Sequence, residues 1–478
     1  MKQFGFSRIE NCLSLCLLCA ATAIALPAQT FTTLVNFNGA NGAYPYAGMV
    51  QATNGELFGT TDAGGIVCAG QGCGTVFRVT LSGKLTTSYG FCSQTNCADG
   101  SYPYAALTLA SSGYLYGTTY FGGANGDGAV FRITTGGKLT TLHSFDGTDG
   151  KNPVGTLVQA TDGNLYGTTE YGGANTYGTV FKISQNGAFT LLYSFCSETN
   201  CADGSVPFAG LIEASNGYLY GATYYGGANG YGTIFKISFG GLLTTLHSFD
   251  NADGSNPYGG LVQASNGNLY GTTNYGASTS CYSGCGTVFK MTPGGSLTTL
   301  HKFTGTDGGN PQAALIQATD GNLYGTTATG GTDSAFPGGC GTVFAITPTG
   351  TLTILHSFDF NDGLYPVGGL FQATNGSLYG TAENGGTPND GTVFRLSVGL
   401  GPFVETLPTS GKVGAAVKIL GTNLTGATSV TFNGTAATFT VVSATEITTT
   451  VPTGATSGRV QVVTPTGTLL SNVVFRVP

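Results

Sequence analysis

Tryptophan is absent from the 478 residues, methionine occurs three times and histidine four, and Asp, Glu, Lys and Arg together supply only 8% of the chain. An average soluble protein carries about 25% charged residues. The net charge of −7 comes without any cluster of Lys or Arg, so the chain offers no electrostatic footprint for nucleic acid or anionic lipid. Beyond residue 30 no stretch repeats apolar residues at helical spacing for more than a turn or two, which excludes a helical fold. No later run is long and apolar enough to span a membrane. What is abundant is glycine, 80 residues, and tyrosine, 24 residues, set among Thr, Ser and Asn, the composition of many short strands joined by tight turns.

The first 28 residues read as an export signal. Lys2 and Arg8 precede an apolar run from Leu13 to Leu26 and small residues at Ala23, Ala25 and Ala28. Three of the twelve cysteines, Cys12, Cys16 and Cys19, leave with it. Most of the rest form close pairs, Cys68/Cys73, Cys92/Cys97, Cys196/Cys201 and Cys281/Cys285. Outside the cell such pairs are expected as disulfides, and the lack of nearby histidine argues against zinc. Cys340 has no evident partner.

The string LYGTT or a near copy recurs seven times, with its glycine at Gly59, Gly117, Gly167, Gly221, Gly271, Gly325 and Gly380, at spacings of 58, 50, 54, 50, 54 and 55 residues. Each unit has room for a four-stranded blade. In the third unit the strands are expected at 155–160, 164–169, 178–184 and 188–195. Asp162-Gly163 joins the first two as a tight hairpin. The seventh unit has a third strand at 391–397 with no fourth after it, while 31–37 is a fourth-type strand ahead of the first unit. One completes the other, so the expected fold is all-β, a seven-bladed β-propeller closed by its N-terminal strand. The small residues opening each first strand, such as Ala47-Gly48 and Gly259-Gly260, suit crowding at the axis.

The LYGTT, GTVFK and LTTLHSF elements over roughly residues 31–398 resemble the Gloeobacter/Verrucomicrobium-type ("GloVer") repeat of exported bacterial proteins. That resemblance implies an exported propeller-like protein and supplies no catalytic residues. Residues 401–478 resemble an IPT/TIG immunoglobulin-like domain through Pro408-Thr409-Ser410-Gly411, Ile419-Leu420-Gly421-Thr422-Asn423-Leu424 and Val430-Thr431-Phe432-Asn433-Gly434. The expected organisation is a signal peptide at 1–28, a propeller at 29–400 and this domain at 401–478.

In such a blade the long loops, and with them the mature cysteines, fall on one face. That face presents Tyr44, Tyr102, Tyr120, Tyr171, Tyr224, Tyr225, Tyr275 and Tyr365 among Asn, Ser and Gly, a composition suited to recognition. Of these, Tyr120, Tyr171, Tyr224, Tyr225 and Tyr275 are taken as candidate ligand-binding residues. Glu213 joins them as the one charge in a series that ends each first strand, with Gln51, Leu109, Gln159, Gln263, Gln317 and Gln372. Contact with a neighbouring blade is the competing role for that series. An Asp or Asn followed by Gly and then Pro opens each unit, as at Asp149 and Pro153. Turn formation accounts for it. Calcium is the rival, with extra carboxylates at Asp146, Asp250 and Asp359, but the ligand order of a calcium loop is missing and no cofactor is expected. All four histidines, His143, His247, His301 and His356, occupy one site of the repeat, which places them on different blades and argues against a catalytic cluster. The leading expectation is an exported binding or adhesion protein that recognises a glycan or an extracellular protein. A glycosidase or lyase using carboxylates of the loop face is the first alternative, and a structural surface component the second.

Overall fold

The computed structural model describes residues 29–65, 72–277, 281, 284–333 and 338–478. The proposed signal peptide and Cys68 lie outside them. Apart from short 3-10 turns at Thr95–Cys97 and Thr199–Cys201, the regular structure of these residues is all strand, arranged in nine four-stranded antiparallel sheets. No helix among the described residues is long and apolar enough to cross a membrane.

Seven sheets come from the repeats. In the third unit the strands run Val158–Gln159, Leu165–Thr169, Thr179–Ile183 and Phe189–Ser194, side by side in chain order. The first strand is thus far shorter than the six residues expected. Only its last residues pair with the second strand, because its start bends away to line a shared central space. The seventh sheet takes Thr30–Asn36 as its outer strand, paired antiparallel to Thr392–Ser397, as the sequence reading required.

The repeat motif has a packing cause. A Cβ on Gly167 would lie 2.6 Å from both Phe181 Cζ and Leu157 Cδ2, so the glycine of LYGTT leaves room for the phenylalanine of GTVFK to cover the second strand. Each apolar cluster of the repeat region lies between two consecutive sheets. Tyr116, Val130 and Phe145 of the second unit pack on Leu157, Phe181 and Ile183 of the third. Val35, Phe37, Tyr379 and Val393 of the seventh pack in the same way on Leu57 and Phe77 of the first, so the series of sheets returns to its start. At the centre the first strands crowd one another. A Cβ on Gly210 would sit 2.4 Å from Thr156 O, and one on Gly259 2.4 Å from Ala313 O.

The remaining two sheets, within 405–470, share a core of their own that includes Val417, Ile419, Val430, Phe432, Ile447 and Val460. This part contacts the turns between first and second strands. Phe403 N donates to Thr374 O, the Thr374 and Thr422 hydroxyls are 2.8 Å apart, and Thr445 Oγ1 donates to Thr53 O. Among the described residues the long-loop face at the other end of the units is left open.

Candidate functional site

Two columns of the repeat meet at the open end of the axis. The first is the residue after each unit's proline, among them Tyr46, Tyr104, Val154, Phe208 and Tyr258. The residue before that proline has a left-handed backbone in every unit, φ 57° at Tyr44, 56° at Tyr102, 55° at Asn152 and 57° at Val206, where extended backbone is the rule. Two hydrogen bonds hold it there. Asn152 N donates to Asp127 O of the preceding unit, and Asn152 O accepts from Glu170 N of its own. The bend sends the side chain after the proline toward the axis.

The second column is the residue after LYGTT, and it contributes Asp62, Tyr120, Glu170 and Glu383. Together with Phe121 the two columns line a cavity of about 530 Å³. Its inner wall is aromatic. The Tyr46 and Tyr258 hydroxyls, from the first and fifth units, meet at 2.6 Å. Phe208 stacks on Tyr258 at 4.8 Å, and Tyr104 sits edge-on to both Tyr46 and Tyr120. Below this cluster continues a narrower space of about 340 Å³ walled by the first strands.

Among the described residues three carboxylates face the cavity and no Lys, Arg or His lines it. Burial pushes Asp62 up to about 7, and the charge of Glu383 on the adjacent unit adds to this, while the Tyr104 hydroxyl opposes it in part. Asp62 Oδ1 is buried without a hydrogen-bond partner. Burial also raises Glu383 and Glu170. Glu170 is 5% exposed and accepts from the Tyr120 hydroxyl at 2.9 Å. The site therefore holds acids biased toward their neutral form, beside aromatic rings, in a space of small-ligand size.

The residues singled out from sequence divide into four groups. Tyr120 lines the cavity. Tyr171, Tyr224, Tyr225 and Tyr275 lie on the same face outside it, with Tyr171 and Tyr225 exposed and Tyr224 packed against Phe208 at 5.1 Å. Glu213 is at the other end of the first strand, where its carboxylate accepts from Thr161 N and Oγ1 of the preceding unit. Gln159, Gln263, Gln317, Gln372 and Gln51 make the equivalent bond to Ser111, Ser215, Ser265, Thr319 and Thr374. The series is a latch between units, and Glu213 is one of its members. Tyr44, Tyr102 and Tyr365 carry the left-handed backbone described above.

Disulfides join Cys92 to Cys97, Cys196 to Cys201 and Cys281 to Cys285 in the loops of this face, and Cys73 is disulfide-bonded as well. Cys340 is a buried free thiol, pushed up to about 12 by burial and by Asp333. The aspartates ahead of the prolines are engaged by protein donors. Asp149 Oδ1 accepts from Asp146 N, and its Oδ2 meets His143 Nε2 at 2.7 Å. His247, His301 and His356 pair with Asp253, Asp307 and Asp362 in the same way, and Tyr89 and Tyr193 replace histidine opposite Asp99 and Asp203. Sequence reading kept the histidines apart from one another, correctly, but missed this partner six residues on.

No curated protein sequence matches the chain. Similar solved structures include a fungal alcohol oxidase of the AA5 family in complex with copper, at 12% identity and a TM-score of 0.53, covering 94% of this chain and 98% of that one. Another is the extracellular domain of a hybrid two-component system from B. thetaiotaomicron, at 12% identity and a TM-score of 0.51, covering 94% of this chain and 55% of that one. The chain thus spans about half the length of the second. At this identity the likeness bears on the fold alone, which is propeller-like. The model of the Gloeobacter/Verrucomicrobia repeat matches residues 22–235 and 214–445, most of the sequence, and the chain belongs to that repeat family.

Proposed function

We propose that the chain is an exported seven-bladed β-propeller, residues 29–400, followed by an immunoglobulin-like domain of the IPT/TIG type at 401–478, and that the axial cavity binds a carbohydrate. The observation that carries this reading is the cavity lining, aromatic rings beside Asp62, Glu170 and Glu383 with no basic side chain among the described residues. Sugar rings lay their C–H faces on Tyr and Phe, and their hydroxyls donate to carboxylates. A polyol would supply donors for oxygens such as Asp62 Oδ1 that lack one in the protein. An anionic ligand would be repelled. The disulfides brace the surrounding loops, as a fixed binding face outside the cell requires.

One observation favours a second reading, a carbohydrate-active enzyme. Asp62 at about 7 has the proton affinity of a general acid at neutral pH, and Glu383 shares its cavity. The test is a glycan array with the purified secreted chain, with and without calcium, followed by product analysis on every hit. Binding without turnover, lost in Asp62→Asn together with Glu383→Gln, supports recognition. Turnover lost in the same variant assigns the enzyme. No binding to any glycan refutes the carbohydrate reading.

A further inference from the structure

The residue two places after LYGTT is aromatic in four consecutive units, Phe121, Tyr171, Tyr225 and Tyr275, and is Thr329, Asn384 and Ala63 in the other three. All seven have the same backbone setting, an isolated antiparallel bridge such as Ser205 to Tyr225 or Gly309 to Thr329. A role in holding the fold would therefore be needed seven times, and the aromatic side chain is present only along one side. Three of these rings are left open to solvent, Phe121 at 43%, Tyr171 at 40% and Tyr225 at 49% exposed. The arc also starts at the cavity. Phe121 is part of the cavity wall and packs edge-on against Tyr120 at 4.6 Å. It has no gap in its middle, since the Tyr225 phenol is near enough to Tyr171 to act on it electrostatically.

Building on the carbohydrate reading of the cavity, we infer that this arc is a track for a linear, uncharged polysaccharide whose end enters the axial cavity. Rings that recur from unit to unit, three of them open to solvent, suit a polymer that offers one apolar sugar face after another. The intervening residues, Gly172-Gly173-Ala174-Asn175 and Gly226-Gly227-Ala228-Asn229, are small or polar and leave the rings standing proud. A protein docking surface would carry an aliphatic core between its aromatic anchors, and none is present in these segments. Lys151 beside the arc is paired with Asp127 at 2.9 Å, so among the described residues that cation is not set to receive an anionic polymer.

The test measures affinity of the full secreted chain for di- and hexasaccharides of the cellulose, xylan, mannan, chitin and laminarin series by calorimetry. The expected result in the series that binds is a hexamer at least tenfold tighter than the dimer. Tyr225→Ala with Tyr275→Ala, neither of which lines the cavity, should remove that gain and leave the dimer within twofold of its original affinity. Tyr225→Phe with Tyr275→Phe should restore it, since the ring face is kept. Equal binding of dimer and hexamer, or a length gain untouched by the alanine pair, overturns the track and leaves the cavity reading standing. Loss of a bound protein rather than of hexamer affinity in the alanine pair reassigns the surface and overturns the inference. Failure of every sugar to bind removes the cavity reading first and the track with it.

Discussion

Asp62 should make the folded chain less stable at neutral and alkaline pH than its neutral isostere would. In the folded state its carboxyl moves from 3.8 to about 7, so the native chain holds this proton about a thousandfold more tightly than the unfolded chain does. Its contribution to stability is fully present below pH 4 and is lost as pH rises through 7. A thousandfold in proton affinity corresponds to on the order of 4 kcal/mol, an upper bound, because water entering the open cavity screens part of the charge. About 2 kcal/mol is expected. Asp62→Asn should therefore match the parent at pH 4 and exceed it by about 2 kcal/mol at pH 8, a rise of roughly 2 °C in melting temperature for a chain of this length. Thermal unfolding of both proteins at pH 4, 6 and 8 is the assay. The difference between them isolates Asp62 from Glu170, Glu383 and Glu405, which burial also raises. A difference that does not change between pH 4 and pH 8 would refute the reasoning. The same variant should bind sugar less well, which would explain why a destabilising acid occupies this position.

Comparison of the units yields two further predictions. Val206 is the one β-branched residue at the left-handed position before proline, where Asn152, Asn256 and Asn310 stand in other units and donate through Nδ2 to a backbone carbonyl; Val206→Asn should raise stability by about 1–2 kcal/mol, read as a higher unfolding midpoint in urea. In the third unit Thr169 and Thr179 pair through their hydroxyls at 2.7 Å, whereas in the second Ala129 leaves Thr119 Oγ1 buried without a partner; Ala129→Thr should stabilise by about 1 kcal/mol and Thr179→Ala should cost about 1–3 kcal/mol in the same assay.

The number of repeats, the N-terminal strand beside Thr392–Ser397 and the hairpin turns were legible in the sequence because each depends on local chemistry that repeats. Asn-Gly and Asp-Gly steps mark turns wherever they occur, and a missing fourth strand can be counted. The short first strands were not legible. Small residues signal a crowded axis, but they do not say that the backbone leaves its own sheet to reach it. The cavity was missed for a related reason. Tyrosines were picked by composition and by loop position, and that criterion gathered Tyr171 and Tyr225 on the surface along with Tyr44 and Tyr102 at the bends before proline. Tyr46, Tyr104, Phe208 and Tyr258 follow those prolines, so a reading by repeat column would have collected them. Glu213 stood out by its charge, and its bonds to Thr161 are the contact between units that the sequence reading set beside ligand binding.

A ring of like units has no preferred direction, so anything it binds selectively at the axis must be met by differences among the units. Columns that stay constant carry the scaffold, as Gly167 beneath Phe181 does. The column after LYGTT is instead Asp62, Tyr120, Glu170, Tyr224, Asn274, Ala328 and Glu383, with acids on the first, third and seventh units. The column after it is aromatic from the second unit to the fifth. The backbone is the same at each of these positions, held by the same bridges between loop and second strand, so the variation costs the fold little and changes only what the face presents. Acids on the first, third and seventh units and rings on the second to the fifth are spread unequally round the face, and that inequality gives it a direction. The elongated ligand proposed above, with a distinct end, would use that direction.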